Sequence, residues 1–176
     1  MEKKLLIIVD MQNDFIDGAL GSAEAVAIVP HVYDKIVNWE GDMIVTRDTH
    51  KEDYMNTREG KYLPVPHCIE GTDGHLVNSE VTRAIINSGN KYKIVDKITF
   101  GSVSIPDMIK DKGYDYVELI GLCTDICVVS NAMLLKANFP ELDIAVDASC
   151  CAGVTPASHQ AALTTMKMCQ INVIGE

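Results

Sequence analysis

Cys123 and Cys127 stand four residues apart where the apolar run VELIG (117–121) gives way to a helical pattern, DICVVSNAMLL (125–135). A thiol at that junction admits three readings: a disulfide or metal pair, two packing side chains, or one nucleophile beside a bystander. No two cysteines form C-x-x-C, so a cysteine-based zinc site is not expected. A thiol attacks a carbonyl carbon as the thiolate, and its free pKa is about 8.5. A helix N-terminus and a nearby cation both lower that value. With a helix over 125–138, Cys127 falls in its first turn, and Lys97 is a cation that could serve it. Asp10 offers a carboxylate that can carry a proton to a leaving amine. Backbone N–H groups of Cys123 and Cys127 would make an oxyanion hole.

Taken singly, each of these residues has an ordinary explanation. A cysteine in an apolar helix is usually core, an aspartate at a strand end usually a cap, a lysine there usually solvated. What joins them is the order of elements. Runs rich in β-branched residues occur at 4–10, 42–48, 92–97, 115–121, 143–148 and 170–175, and they are continuous rather than alternating. That pattern predicts strands buried on both faces. Helical patterns lie between them at about 28–39, 78–89, 103–113, 125–138 and 156–168, the last opening with Thr155 as cap and Pro156 at the first helical position. Strands alternating with helices imply right-handed βαβ units and a three-layer α/β fold, a doubly wound, mostly parallel sheet of six strands. Sites in such sheets form outside the carboxyl ends of the strands. Asp10, Asp48 and Lys97 end the first three runs, and Cys123 and Cys127 follow the fourth, so one sheet edge collects an acid, a cation and a thiol.

The chain of 176 residues suits one domain over 1–176. Its net charge of −10 argues against nucleic acid or an anionic membrane as partner. No apolar run approaches the roughly 20 residues needed to span a bilayer. The start, MEKKLLIIVDMQND, has a short apolar run that ends in Asp10 and lacks a small-residue cleavage site. A cytoplasmic location is the default expectation. The six cysteines, Cys68, Cys123, Cys127, Cys150, Cys151 and Cys169, lack the density of a secreted disulfide scaffold, and most are expected to be small buried hydrophobes. The adjacent Cys150 and Cys151 are expected to pack against the sheet end. His31 and His159 fall on predicted helices and are expected to be structural or exposed. Asp14 and Asp17 are read as caps of the first turn after strand 1, and Asp125 as a cap of the nucleophile helix.

The segment 48–77 is polar, rich in Gly and Pro, and holds three of the five histidines. Loops of that length in compact domains are usually functional or disordered. Asp48 and His50 at i, i+2 point the same way on an extended segment, and Glu59 and His67 follow. One carboxylate and two imidazoles suit Zn²⁺, Fe²⁺ or Mn²⁺ with positions left open. By spacing alone the competing reading, solvated loop histidines, is the stronger. His75 is expected to be solvated.

LLIIVDMQNDF (5–15), the DK at 96–97 and IGLCTDICV (120–128) together resemble the isochorismatase-like cysteine hydrolases, and among them the nicotinamidases. The resemblance spans nearly the whole chain with the motifs in order. It implies a catalytic triad of Asp10, Lys97 and Cys127, with Cys123 contributing its backbone N–H beside that of Cys127 after a cis peptide at Leu122–Cys123. It implies a metal held by Asp48, His50 and His67, with Glu59 as fourth ligand and Asn56 as runner-up, and zinc as the ion ahead of iron or manganese. It implies Phe15 and Leu122 in the substrate pocket, Tyr62 or Phe100 as further aromatic contacts, no organic cofactor, nicotinamide as substrate, and a homo-oligomer. Leu63, Pro64 and GSV (101–103) stand where many relatives carry aromatic residues, which predicts a less aromatic wall. The alternatives are another amidase of the superfamily, acting on a ureido or carbamoyl compound without a metal, and a catalytically silent binding module.

Overall fold

The computed structural model describes residues 2–176. The elements run β1 (Lys4–Val9), α1 (Asn13–Ile16), α2 (Ala23–Val37), β2 (Asp42–Asp48), α3 (Arg58–Tyr62), α4 (Ser79–Ser88), β3 (Tyr92–Lys97), α5 (Ser104–Ile109), β4 (Tyr116–Leu122), α6 (Val129–Asn138), β5 (Asp143–Ala152), α7 (Pro156–Met168) and β6 (Asn172–Ile174). The strands form one sheet in the order β3-β2-β1-β4-β5-β6, every pairing parallel. The chain winds outward from β1 to β3, then crosses back to β4 and winds to the other edge. Right-handed crossovers put the two sets of helices on opposite faces.

β1 shows why the apolar runs are continuous. Leu5, Ile7 and Val9 face the core under α5, α6 and α7, while Leu6 and Ile8 face the core under α2 and α4. At a buried side chain's roughly 1.5–3 kcal/mol, this central strand contributes to both layers at once. The edge strands differ from expectation. On β3, Tyr92 and Ile94 are about half exposed and only Val95 and Lys97 are buried, because β3 is the outermost strand of the sheet.

Helix α2 starts five residues before the expected 28. Ser22 Oγ accepts from Ala25 N at 3.0 Å and fixes the start. Pro30 sits inside the helix, where it removes a hydrogen bond, yet the helix continues because Ala25, Ile28, Val32 and Ile36 are buried on the sheet. The long segment after β2 is not structureless: it holds short helical turns at Tyr54–Asn56 and Asp73–His75 around α3. Among the described residues no helix is long and apolar enough to cross a membrane.

Candidate active site and metal centre

The sheet reverses between β1 and β4, and the expected residues gather at that switch point. Asp10 follows β1 with φ at 48°, a left-handed conformation that aspartate tolerates better than most residues. Thr46 Oγ1 donates to Asp10 Oδ1 at 2.6 Å, fixing the carboxylate. Asp48 and Lys97 are register partners at the ends of β2 and β3. Gly121 sits at φ 117°, and a Cβ there would lie 2.1 Å from the Val9 carbonyl oxygen, so glycine is required where β4 closes on β1 just before the thiols.

Lys97 is the hub. Its Nζ lies 2.6 Å from Asp10 Oδ2, 3.4 Å from Asp48 Oδ1, 3.1 Å from the Thr99 carbonyl oxygen and 3.6 Å from Cys127 Sγ. All four charged or thiol groups are buried. Burial opposes the ammonium, but the carboxylates of Asp10 and Asp48 and the sulfur outweigh it and keep Lys97 charged throughout the ordinary pH range. Asp10 Oδ2 is ion-paired to Lys97 but accepts no hydrogen bond of good geometry.

The expected resting thiolate is corrected here. Burial, then the Asp10 carboxylate, pushes the Cys127 thiol well above its ordinary value against the pull of Lys97. Burial also raises Asp10. Net charge explains the pair. With Lys97 positive, the buried triad is neutral when Asp10 and Cys127 share one proton, and carries an uncompensated charge if both lose it. That charge balance favours proton transfer from Cys127 to Asp10 over loss of the proton to solvent. The position of Cys127 also differs. Residues Thr124–Val128 form a π turn, with Val128 N donating to Cys123 O at 3.1 Å, and the α-helix begins only at Val129. Such turns recur at functional sites. The Leu122–Cys123 peptide is cis, as the resemblance implied.

Asp48, His50, Glu59 and His67 bring one donor atom each to within 4.8 Å of one another. His50 Nε2 lies 3.0 Å from Asp48 Oδ2 and 3.5 Å from Glu59 Oε1, and His67 Nε2 lies 3.5 and 3.7 Å from the same two oxygens. His67 Nδ1 donates to the Val65 carbonyl oxygen at 2.8 Å, which turns Nε2 toward the cluster. Burial disfavours a charged His50, yet the carboxylates of Asp48 and Glu59 lift it to about 9. Two carboxylates that force a proton onto an imidazole mark a place short of positive charge, and a divalent cation fits that donor set. Glu59, not Asn56, supplies the fourth donor: Thr57 caps α3, and Gly60 lets α3 seat against Tyr54, where a Cβ would lie 2.1 Å from the Tyr54 carbonyl oxygen. Asn56 is exposed.

An isochorismatase domain model matches residues 4–175. The chain belongs to the isochorismatase family. It is 24% identical to the nicotinamidase/pyrazinamidase of Mycobacterium tuberculosis, over 97% of this chain and 98% of that one. Its fold matches the crystal structure of a nicotinamidase from Bacillus subtilis with a TM-score of 0.85 at 23% identity, covering 98% and 99% of the two chains. It matches a pyrazinamidase of Pyrococcus horikoshii in complex with zinc with a TM-score of 0.79 at 24% identity, covering 99% of each.

In this isochorismatase-family chain a cavity of about 520 Å³ joins the two clusters. Asp48, Glu59 and His67 line it together with Cys123 and Cys127, and so do Phe15, whose ring lies 5.4 Å from that of His67, and Leu122. Leu63, where many relatives were expected to carry an aromatic residue, lines it too, and so does Phe100. Tyr62 is 78% exposed and stays outside. Sequence reasoning missed several residues. Gln12, fully buried, donates through Nε2 to the carbonyls of Asp48 and His75 at 2.9 Å each, and its Oε1 accepts from Asp48 N at 2.7 Å, so it clamps a metal-cluster residue to the loop. Tyr54 packs against both imidazoles, with ring centroids 4.7 and 5.0 Å away. Gly153 and Val154 after β5 supply a further wall, which only tertiary packing reveals.

Other expectations are corrected. His75 is buried, not solvated, with Nε2 2.9 Å from Thr49 Oγ1. Asp14 does not cap α1; it accepts from Ala19 N and Cys68 N at 3.2 and 2.7 Å and staples the metal loop to the first motif. Asp17 does cap that turn, as the C-cap of α1, its backbone N–H donating to the Asn13 carbonyl at 3.1 Å. Asp125 does not cap the nucleophile helix but accepts from Val154 N. All six cysteines are free, and Cys150 and Cys151 are buried.

Proposed function

We propose that this protein hydrolyses nicotinamide to nicotinate and ammonia through a thioester on Cys127. The observation that carries the reading is that Asp48, Glu59 and His67 of the donor cluster line the same cavity as Cys127, with Phe15 also in its wall. An amide whose ring bears a nitrogen donor can engage both ends. Asp48, His50, Glu59 and His67 would hold the ion; when bound, it supplies a Lewis-acidic position for the pyridine nitrogen. Zinc is the ion we assign, a choice supported by the zinc-bound Pyrococcus relative, with iron or manganese suited to the same donors.

The chain's own groups carry the chemistry. Asp10 takes the Cys127 proton, and the sulfur forms a bond to the carboxamide carbon. The N–H groups of Cys123 and Cys127 receive the oxyanion. Asp10 returns the proton to the departing ammonia as the C–N bond breaks; it then takes a proton from the water that attacks the thioester and passes it to the Cys127 sulfur as the C–S bond breaks, which restores the thiol and releases nicotinate. Lys97 stays cationic and keeps the sulfur's charge compensated. Phe15 stacks on the ring and Leu122 lines its edge.

The nicotinamidase relative supports the substrate, and the intact triad argues against a silent module. A metal-free amidase acting on ureido compounds would have no use for the four converging donors. We further read residues 1–176 as one domain with 48–77 as its metal loop, place the protein in the cytoplasm among enzymes of pyridine-nucleotide salvage, and assign it a homo-oligomer. The free thiols support a reducing compartment, and the exposed Tyr92, Ile94 and Ile98 beside the sheet edge support self-association.

The test is ammonia release from nicotinamide by the purified protein, before and after a chelator. Release that falls at least about tenfold on chelation and returns with added zinc is expected. No release from nicotinamide, with turnover of ureido or other amides unaffected by chelator, would replace this reading with the metal-free one.

A further inference from the structure

His159 belongs neither to the triad nor to the donor cluster, and the sequence marked it as structural or exposed. It sits in the first turn of α7, whose start is fixed by a capping box between Thr155 and Ser158 with Pro156 beside it. From there its Nδ1 stands 2.8 Å from Thr124 Oγ1. Thr124 is fully buried, opens the π turn that carries Cys127, and directly follows Cys123. The contact depends on a close approach of backbones: a Cβ on Gly153 would lie 2.9 Å from the N, Cα and Cβ atoms of His159. The next residue of the turn, Asp125, takes Val154 N with both oxygens, at 3.1 and 3.2 Å. Two successive residues of the nucleophile turn are thus tied to the segment 153–159, and α7 packs directly on that turn. Burial, against the opposing charges of Asp125 and Glu176, holds the imidazole below its ordinary value and so neutral at pH 7. In the tautomer with the proton on Nε2, Nδ1 accepts from the Thr124 hydroxyl, the arrangement that leaves that buried hydroxyl's proton paired.

We infer that His159 is a positioning residue: through Thr124 it fixes the π turn so that Cys127 Sγ stays against Lys97 and the Cys123 N–H stays in the cavity. The turn needs such an anchor because it lacks a capping side chain of its own. Its other side-chain ties are Asp125 to Val154 N, Ser130 Oγ donating to the Ile126 carbonyl at 2.6 Å and Asn131 Nδ2 donating to the Cys127 carbonyl at 2.8 Å, and none of these reaches Thr124. The inference rests on the thiol chemistry proposed above and is independent of which amide is the substrate.

Four variants test it: His159→Leu, His159→Asn, Thr124→Val and the double variant His159→Leu/Thr124→Val. The readouts are the rate of Cys127 alkylation by iodoacetamide, followed by mass spectrometry, and kcat and KM for ammonia release. His159→Leu and Thr124→Val are each expected to lower the alkylation rate and kcat about tenfold, with KM within about twofold. The double variant is expected to be no worse than either single one, because both remove the same contact. His159→Asn, whose amide can reach where Nδ1 stood, is expected to recover most of the loss. Wild-type rates in His159→Leu, losses that add in the double variant, or Asn no better than Leu would each overturn the inference. Should His159→Leu fail to fold, Thr124→Val at wild-type rates would overturn it alone. If the wild type releases no ammonia from nicotinamide, the substrate assignment fails while the alkylation comparison still decides the role of His159.

Discussion

Cys127→Ala is expected to lower ammonia release by at least about 10⁴-fold while leaving the fold and the metal content intact. The loss is large because nothing else in the cavity can take the acyl group. Cys123, the other thiol on the wall, is pushed up to about 12 by burial, with Asp125 and Asp10 adding to it, and no hydrogen bond links it to Lys97. Stability should change little. The substitution removes one buried sulfur, at a cost of about 1 kcal/mol, and keeps the Asp10–Lys97 ion pair at 2.6 Å. Removing a charged member is different. Asp10→Leu leaves Lys97 buried with only Asp48 and the sulfur for compensation, and loss of one partner of a buried pair costs about 3–5 kcal/mol. Activity and melting temperature measured side by side separate the two: loss of activity without loss of stability belongs to Cys127, and loss of both to Asp10. A Cys127→Ala protein that still releases ammonia at more than about one hundredth of the wild-type rate would contradict the thioester route.

Asp48→Asn is the second large effect, and it should separate the donor cluster from the nucleophile. Asp48 is shared: Oδ2 faces His50 and His67, and Oδ1 faces Lys97 at 3.4 Å. Burial works against its charge, but the two imidazoles and Lys97 hold the carboxyl well below the usual carboxylate range. Asparagine keeps the shape and removes the charge. Metal affinity should fall at least about 100-fold, since even the partners of metal ligands are worth 10–100-fold. Ammonia release should fall at least as far. Cys127 should nonetheless alkylate no more slowly in the metal-stripped variant than in metal-stripped wild type, because the Asp48 charge is one of the terms that raises the thiol. Elemental analysis and iodoacetamide kinetics on the two proteins check this. Slower alkylation in the variant would mean that Asp48 serves the nucleophile directly rather than the metal cluster.

These sharing relations also mark what the sequence made legible. Asp10, Asp48 and Lys97 could be found because a parallel sheet presents all its strand ends on one edge, and a residue that terminates an apolar run is placed by that run alone. Asp48 and His50 share a side by strand periodicity. The choice of Glu59 over Asn56 was not legible from spacing, since it depends on the Thr57 cap and on Gly60 fitting under Tyr54, a contact between turns. The wall at Gly153 and Val154, the clamp by Gln12 and the anchor by His159 come from segments far apart in sequence that meet only after the sheet closes. The ionisation of Cys127 was misread for a related reason. A lysine and a turn were visible nearby, but the depth of burial, which opposes charge on both the sulfur and Asp10, is a property of the packed core.

The most direct test is to mix the metal-loaded protein with nicotinamide, quench in acid within a single turnover and weigh the Cys127 peptide. A transient nicotinoyl adduct on Cys127, absent from the Cys127→Ala protein and lost as nicotinate appears, is the predicted result. Nicotinate formed in that first turnover with no adduct on any cysteine would contradict covalent catalysis and leave direct attack by water as the route.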